Sequence, residues 1–411
     1  MSLWHIAWSY LWSRKLTTGL TILSVALAVG LISAVLTIRD ETNRRFVDET
    51  NAYELVVGPA GSPLQLVLSS VYFLDQAVGS MKYSLVEQIR GAEFEDAVEN
   101  VFPVALGDVY RGFRIVGTER DLFDFPWKTP RGEVRNPFQL RGDGKFFDGP
   151  MQAVVGYLAA RRTGLKVGET FVGLHGSSAE GLDHSETPYT VVGVLEASGT
   201  SNDRAIFVSL DSIWASHADY DEGDGPDEDE ELEVSAILVD ARGGAVFTLR
   251  RDLPEVMLVQ AVRPIDEIRK LFDQFLGPAI AILKAIGYVV VVISAITILI
   301  GLYLSIIQRK RDLAIMRALG ASAAEIFGAV MIEAFLVTIL GILSGWALGK
   351  VTAMTLGVYM GRVYGFSITG TSTGPDELYF FSIVAGIGLL AGIVPAWQAY
   401  QTDVAKDLSA M

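Results

Sequence analysis

Four long uncharged or nearly uncharged runs constrain this chain more than anything else in it. Residues 16–38, LTTGLTILSVALAVGLISAVLTI, carry no charge over 23 positions. At 1.5 Å per residue a helix of that length crosses a hydrocarbon core of roughly 30 Å. Similar runs cover 276–307, uncharged from Ala285 onward, 326–349 and 378–400. The first run exceeds the apolar stretch of a cleaved leader, about 7–15 residues, and Arg39, Arg44 and Arg45 follow it, so it reads as a retained anchor. The expected fold class is a membrane protein with four transmembrane α-helices in a 1+3 arrangement, with a large mixed α+β extracytoplasmic domain between helices 1 and 2.

Short cationic segments set orientation, because they stay on the cytoplasmic side while long domains cross regardless of charge. Arg14 and Lys15 precede the first run; Arg309, Lys310, Arg311 and Arg317 lie between the second and third. Residues 1–15 and 308–325 and the tail 401–411 are therefore expected inside. Residues 39–275 and the loop 350–377 are expected outside.

Between about 50 and 270 the texture changes to short β-rich runs bounded by Gly, Pro and Asp, such as YTVVGVLEAS (189–198), RAIFVSL (204–210) and VSAILVD (234–240). VVGYLAARRTGL (154–165) reads as a helix stopped by Gly164, and SPLQLVLSSVYFLD (62–75) as a helix opening at Ser62 with Pro63 in its first turn. The formal charge of −15 is a poor guide to partners, since ten carboxylates crowd into 219–233, DYDEGDGPDEDEELE. That density self-repels and predicts a loop without stable structure. The competing reading is a weak cation site using Asp221, Asp227 and Asp229 with His217, although the glycine offsets of a calcium loop are missing. No nucleic-acid partner is expected.

Catalytic signatures are absent. The chain has no cysteine, so thiolate metal sites and a cysteine nucleophile are excluded. GWALGKVT (345–352) has the Gly-Lys pair of a phosphate loop but the wrong spacing, a valine in place of the hydroxyl, and a position inside an apolar run. GLHGSSAEGLDHSE (173–186) gathers histidines, serines and acids, and reads as a polar surface loop. No enzyme activity and no bound cofactor are expected of this chain.

The segment QRKRDLAIMRALGASAAEIF (308–327) carries the functional signal. Leu313, Met316 and Leu319 continue the second run at helical spacing, with Ile315 beside them, so the second span is expected to project past the bilayer with an apolar stripe facing water. Gly320 can take the left-handed conformation that ends a helix, and Ser322 with Glu325 forms a capping box for the next one. Orientation accounts for Arg309, Lys310 and Arg311. It does not account for an apolar, arginine-edged tip, which suits a second protein docking helix-in-groove; a helix lying flat in the lipid interface is the alternative. Glu333 reads either as an interfacial or helix-pairing carboxylate, or as a transmission residue bonding to the second span's extension. Gly341, Gly345 and Gly349 permit close helix approach.

These residues resemble a known family. RKRDLAIMRALGASAAEIFGAVMIEAFLVTILGILSGWALG (309–349) resembles the loop and third span of the FtsX/MacB-like permeases of ABC transporters, the type VII class. GIVPAWQAYQTDVAKDLS (392–409) resembles that family's last span and tail. VVGYLAARRTGLKVGETF and YTVVGVLEASGTSNDRAIFVSLDSIW resemble its outer domain. The resemblance implies a permease subunit in a bacterial cytoplasmic (inner) membrane, acting as a homodimer above a dimeric ATPase that binds ATP and magnesium. It implies mechanotransmission, in which nucleotide-driven closure moves the outer domain to export or extract cargo, with a periplasmic adaptor or lipoprotein as a further partner and lipid around the spans. The coupling residues would be Arg309, Lys310, Arg311, Leu313, Ile315, Met316, Arg317, Leu319, Gly320, Ser322 and Glu325. The alternative function is a membrane-anchored sensor whose outer domain binds a ligand or controls a partner such as a cell-wall hydrolase.

Overall fold

The computed structural model describes residues 3–13, 15–50, 52–128, 134–175, 188–218, 232–364 and 369–401. The chain divides into two compact units, one made of residues 1–42, 276–359 and 368–411 and the other of 43–275 with 360–367.

The first unit opens with α1 (Leu3–Ser13) and α2 (Lys15–Thr50), whose residues from 43 onward belong to the second. The second contains strands β1 (Leu55–Gly58), β2 (Met81–Lys82), β3 (Val98–Tyr110), β4 (Phe113–Thr118), β5 (Trp127–Lys128), β6 (Val134–Arg135) and β7 (Gln152–Val155). It continues with β8 (Thr170–Phe171), β9 (Leu174–His175), β10 (Tyr189–Val194), β11 (Ile206–Ser209), β12 (Glu233–Val234), β13 (Ala236–Ala241) and β14 (Gln260–Val262). Its helices are α3 (Pro63–Ser70), α4 (Ser84–Arg90), α5 (Tyr157–Thr163), α6 (Leu210–Ala218), α7 (Val246–Met257) and α8 (Pro264–Leu271).

Ten of these strands form one mixed sheet in the order β14-β1-β13-β3-β4-β11-β7-β10-β8, with β9 on β3. β11 runs parallel to β4 and β10 parallel to β7, whereas β13 pairs antiparallel with both β1 and β3. Both faces are covered. Leu55, Val57, Ile237 and Val239 point into one core while Val56 and Leu238 point into the other, the period-two consequence of a pleated strand buried on two sides. Ser62 caps α3 by accepting from Gln65 N, with Pro63 at its first position. The helix expected over 154–165 is shorter, because 152–155 pairs as β7 before α5 begins; Gly164, with φ +85°, stops it. YTVVGVLEAS holds its strand only to Val194.

The first unit resumes with α9 (Gly277–Gln308), α10 (Lys310–Ala318), α11 (Ala323–Tyr364) and α12 (Pro375–Tyr400). Among the described residues four helices are long and apolar enough to cross a membrane: Lys15–Arg44, Gly277–Gln308, Ala323–Gly361 and Pro375–Tyr400. Their shared core contains Val25, Val29, Ile32 and Leu36 of α2 with Ile298, Val337 and Val384. Leu16, Leu20, Leu23, Leu27 and Leu31 line the other side of α2 and are exposed, as a helix facing hydrocarbon requires.

The helices outrun the uncharged runs that announced them. α2 continues to Thr50 rather than 38, and α11 to Tyr364 rather than 349, so much of the loop expected at 350–377 is helical. Residues 3–13, expected only as an inner terminus, form α1. An uncharged run measures the length of a hydrocarbon-buried face, and a helix ends only where its backbone loses hydrogen-bond partners or turns.

Candidate functional site

The segment between α9 and α11 is a helical hairpin with a break in its first arm. α9 ends at Gln308, Arg309 leaves the helical region at φ −111°, ψ 15°, and α10 starts at Lys310. The second span therefore does not project as one straight helix. The cause is the packing of α10: Leu313 and Ala314 are buried, and Leu313 clusters with Ile306, Ile326, Val330, Ala396 and Ala399, with Met316 half-buried against them. Sequence periodicity places Leu313 and Met316 on a water-facing stripe; the structure turns them into the bundle and leaves Ile315 and Leu319 outside, 42% and 84% exposed.

The turn follows from local chemistry. Gly320 has φ +104°, a region that a Cβ disfavours. The Ala321 amide donates to the Met316 carbonyl at 3.0 Å and the Gly320 amide to that of Arg317 at 3.1 Å, so carbonyls left open at the end of α10 are satisfied. Ser322 Oγ accepts from the Glu325 amide at 3.2 Å while Glu325 Oε2 accepts from the Ser322 amide at 2.7 Å, a reciprocal capping box that starts α11. Lys310 and Arg311 lie at the start of α10 and Arg317 in its last turn.

Arg309 also makes buried contacts of its own. Its Nη2 donates to both Glu333 carboxylate oxygens at 3.1 Å, its Nε to the Ser305 carbonyl at 3.2 Å, and both side chains are about nine-tenths buried. Glu333 is a buried carboxylate bonded to the junction of α9 and α10, a geometry common to a helix-pairing carboxylate and to one bonded to the second span's extension. The pair joins the break in the hairpin's first arm to its second arm. Separating α10 from α11 would rupture a buried, charge-assisted contact.

Gly341, Gly345 and Gly349 mark where α11 meets α2. A Cβ on them would lie 2.6 Å from Val25 Cβ, 2.7 Å from Val29 Cβ and 2.7 Å from Ser33 Cβ. The partners advance by four residues as the glycines do, so the two helices run alongside each other in a parallel four-residue register.

Sequence reading missed a second set of buried charges. Lys350 and Glu377 are 7% and 1% exposed and paired at 2.9 Å, and Glu41 of α2 is 6% exposed. All three lie just beyond the span ends assigned from sequence, where no buried charge was looked for. A usable signal was Lys350 standing directly after the last of three glycines spaced by four. As for the proposed cation site, Asp221, Asp227 and Asp229 lie outside the described residues, as does the side chain of His217, whose backbone lies in the last turn of α6. Among the described residues no group of three or more His, Cys, Asp or Glu is gathered to hold a metal.

Comparison with known proteins gives two family matches: the MacB-like periplasmic core domain over residues 18–252 and the FtsX-like permease C-terminal region over 280–404. The chain is 24% identical over 98% of its length to a macrolide export ATP-binding/permease protein, MacB, of Nitrosomonas europaea, covering 58% of that relative. It is 22% identical over 99% of its length to an uncharacterized ABC transporter permease protein, Rv0987, of Mycobacterium tuberculosis, covering 45% of it. The chain therefore spans about half the length of these curated relatives. A crystal structure of the extracellular domain of the noncanonic ABC-type transporter YknZ from Gram-positive bacteria aligns over 51% of this chain and 98% of its own, at 14% identity and a TM-score of 0.29.

Proposed function

The chain belongs to the FtsX/MacB-like family of ABC transporter permeases, multi-pass membrane proteins, and from that premise we propose that it couples ATP hydrolysis on a separate ATPase to movement of its β-rich unit. The ATPase dimer docks on the hairpin of two permease copies in a bacterial inner membrane, with both termini and the hairpin on the cytoplasmic side. ATP and magnesium stay on the ATPase. Cargo is exported or extracted on the far side, with an adaptor or lipoprotein there, and is not conducted through the spans.

The observation that carries this reading is the hairpin itself. Its turn is stiffened by a C-cap and a capping box at one point, its exposed tip offers Ile315 and Leu319 among cationic residues, and a buried Arg309–Glu333 pair ties the tip to a span. An exposed apolar tip gives a partner something to grip, and a buried ion pair resists yielding under load.

The test uses the exposed residues, because Asp at the buried Leu313 would damage the bundle as well as the docking surface. In membranes containing the partner ATPase, Leu319→Asp and Ile315→Asp should lower ATPase stimulation by about tenfold or more, the effect of roughly 1.4 kcal/mol per decade, while leaving the permease folded. Unchanged stimulation by both variants rejects the hairpin as the coupling surface.

A further inference from the structure

The end of α11 opposite the hairpin carries a clasp. Lys350 Nζ donates to Thr37 Oγ1 at 2.7 Å, to the Ser372 carbonyl at 2.5 Å and to Glu377 Oε2 at 2.9 Å, so each of its three protons has an acceptor. Glu377 Oε1 accepts from Ser33 Oγ. One turn beyond Thr37, Glu41 accepts from the amides of Thr369 at 2.5 Å, Gly370 at 3.0 Å and Ser372 at 3.2 Å. Ser33, Thr37 and Glu41 recur every four residues, so they form one polar stripe on α2, continuing the stripe whose Val25 and Val29 meet Gly341 and Gly345. α2 is thus sealed to α11 by close glycine packing along one half of the seam. In the other half it is bonded to α11 and to the start of α12.

A seam made wholly of apolar contacts would hold three helices together, but would let them slide in steps of one turn, because dispersion and close packing are weakly directional. Saturated hydrogen bonds to a buried ammonium and two buried carboxylates fix one register, since any slip strands a charge in a poorly solvating interior. On the α11 helix the two buried pairs, at Glu333 and Lys350, are 17 positions and therefore about 26 Å apart, close to the thickness of the hydrocarbon core. One pair receives the hairpin; the other grips α2 and α12.

We propose that Lys350 and Glu377 are positioning residues that make α2, α11 and the first turns of α12 a single body, so that displacement of the hairpin reaches the far end of α2 without slip. This rests on the reading of the hairpin as an ATPase-driven lever. The clasp stays closed throughout the cycle and contributes register, not catalysis or cargo contact.

The test compares the wild-type full chain with Lys350→Met/Glu377→Leu, both reconstituted in nanodiscs with the ATPase that copurifies with the wild type. The double variant replaces the pair by apolar groups, which avoids the lone buried charge that could unfold Lys350→Met alone. Hydrogen exchange is read at rest and during ATP turnover. At rest, amides of 369–381 should exchange at least tenfold faster in the variant while those of 309–333 are unchanged; equal rates at 369–381 overturn the clasp whatever the ATPase does. During turnover, the ATP-driven change in exchange across 55–118, divided by ATP consumed, should fall at least fivefold in the variant. A ratio equal to wild type overturns the positioning role and leaves Lys350 a structural residue. A wild type that shows no ATP-driven change in 55–118 instead rejects the proposed coupling, and the transmission role of the clasp with it.

Discussion

Arg309 and Glu333 show how a residue's meaning depends on what surrounds it. As part of a cationic stretch, Arg309 reads as an orientation signal; bonded at 3.1 Å to both oxygens of a buried carboxylate, it ties the α9–α10 junction to α11. Removing one partner leaves the other charged and buried, which costs about 3–5 kcal/mol, whereas replacing both by apolar groups is often neutral. Glu333→Gln should therefore lower the thermal midpoint of the chain in lipid markedly, and Arg309→Met/Glu333→Met should recover most of the loss; a Glu333→Gln variant as stable as wild type would show that the pair bears no load. A second residue-scale effect belongs to the β-rich unit. Tyr189 is buried with its hydroxyl 3.5 Å from Ser216 Oγ, and burial pushes its pKa up to about 12. The unfolded phenol ionises near 10, so the unfolded state gains from proton release first, and stability falls as pH rises from about 10 toward 12. Tyr189→Phe should lose that part of the alkaline decline, read as a smaller shift in denaturation midpoint between pH 9 and 11.5.

At the scale of elements, α11 is defined by where it cannot carry side chains. A Cβ at Gly345 would fall 2.7 Å from the Ala26 carbonyl and from Val29 Cβ, while one at Gly386 of α12 meets nothing within 4 Å. Gly345→Leu should separate α2 from α11 and cost at least 1–3 kcal/mol, roughly the range for overpacking; Gly386→Ala should be neutral or slightly stabilising through helix propensity. Thermal unfolding of the two variants in one lipid decides it, and equal effects would reject the α2–α11 seam. The hairpin turn was legible from sequence because its signals are local: Gly320 for a left-handed backbone, and Ser322 with Glu325 for a cap, each within three residues of its partner. The break at Arg309 was not legible. It exists because Leu313 finds Ala396 and Ala399 of α12, contacts that no window around residue 313 contains.

For the whole molecule the decisive question is which side of the membrane each end of the bundle occupies. The chain has no cysteine, so single cysteines report cleanly. A cysteine at Ala324, beside the hairpin turn, should react with a membrane-impermeant maleimide only in inverted vesicles, and one at Thr371 only in right-side-out cells. The reverse pattern would overturn the proposed coupling. Sequence by itself determined the class, the number of spans, the β-rich unit between the first two, and the hairpin's turn, because hydrocarbon length, period-two alternation and capping are properties of contiguous residues. Only the tertiary structure decided which side of α10 is buried, that Glu333 answers Arg309, and that Lys350 lies in a saturated clasp with Glu377. The burial of a charge depends on partners brought from distant helices, and its cost is met only when those partners arrive together.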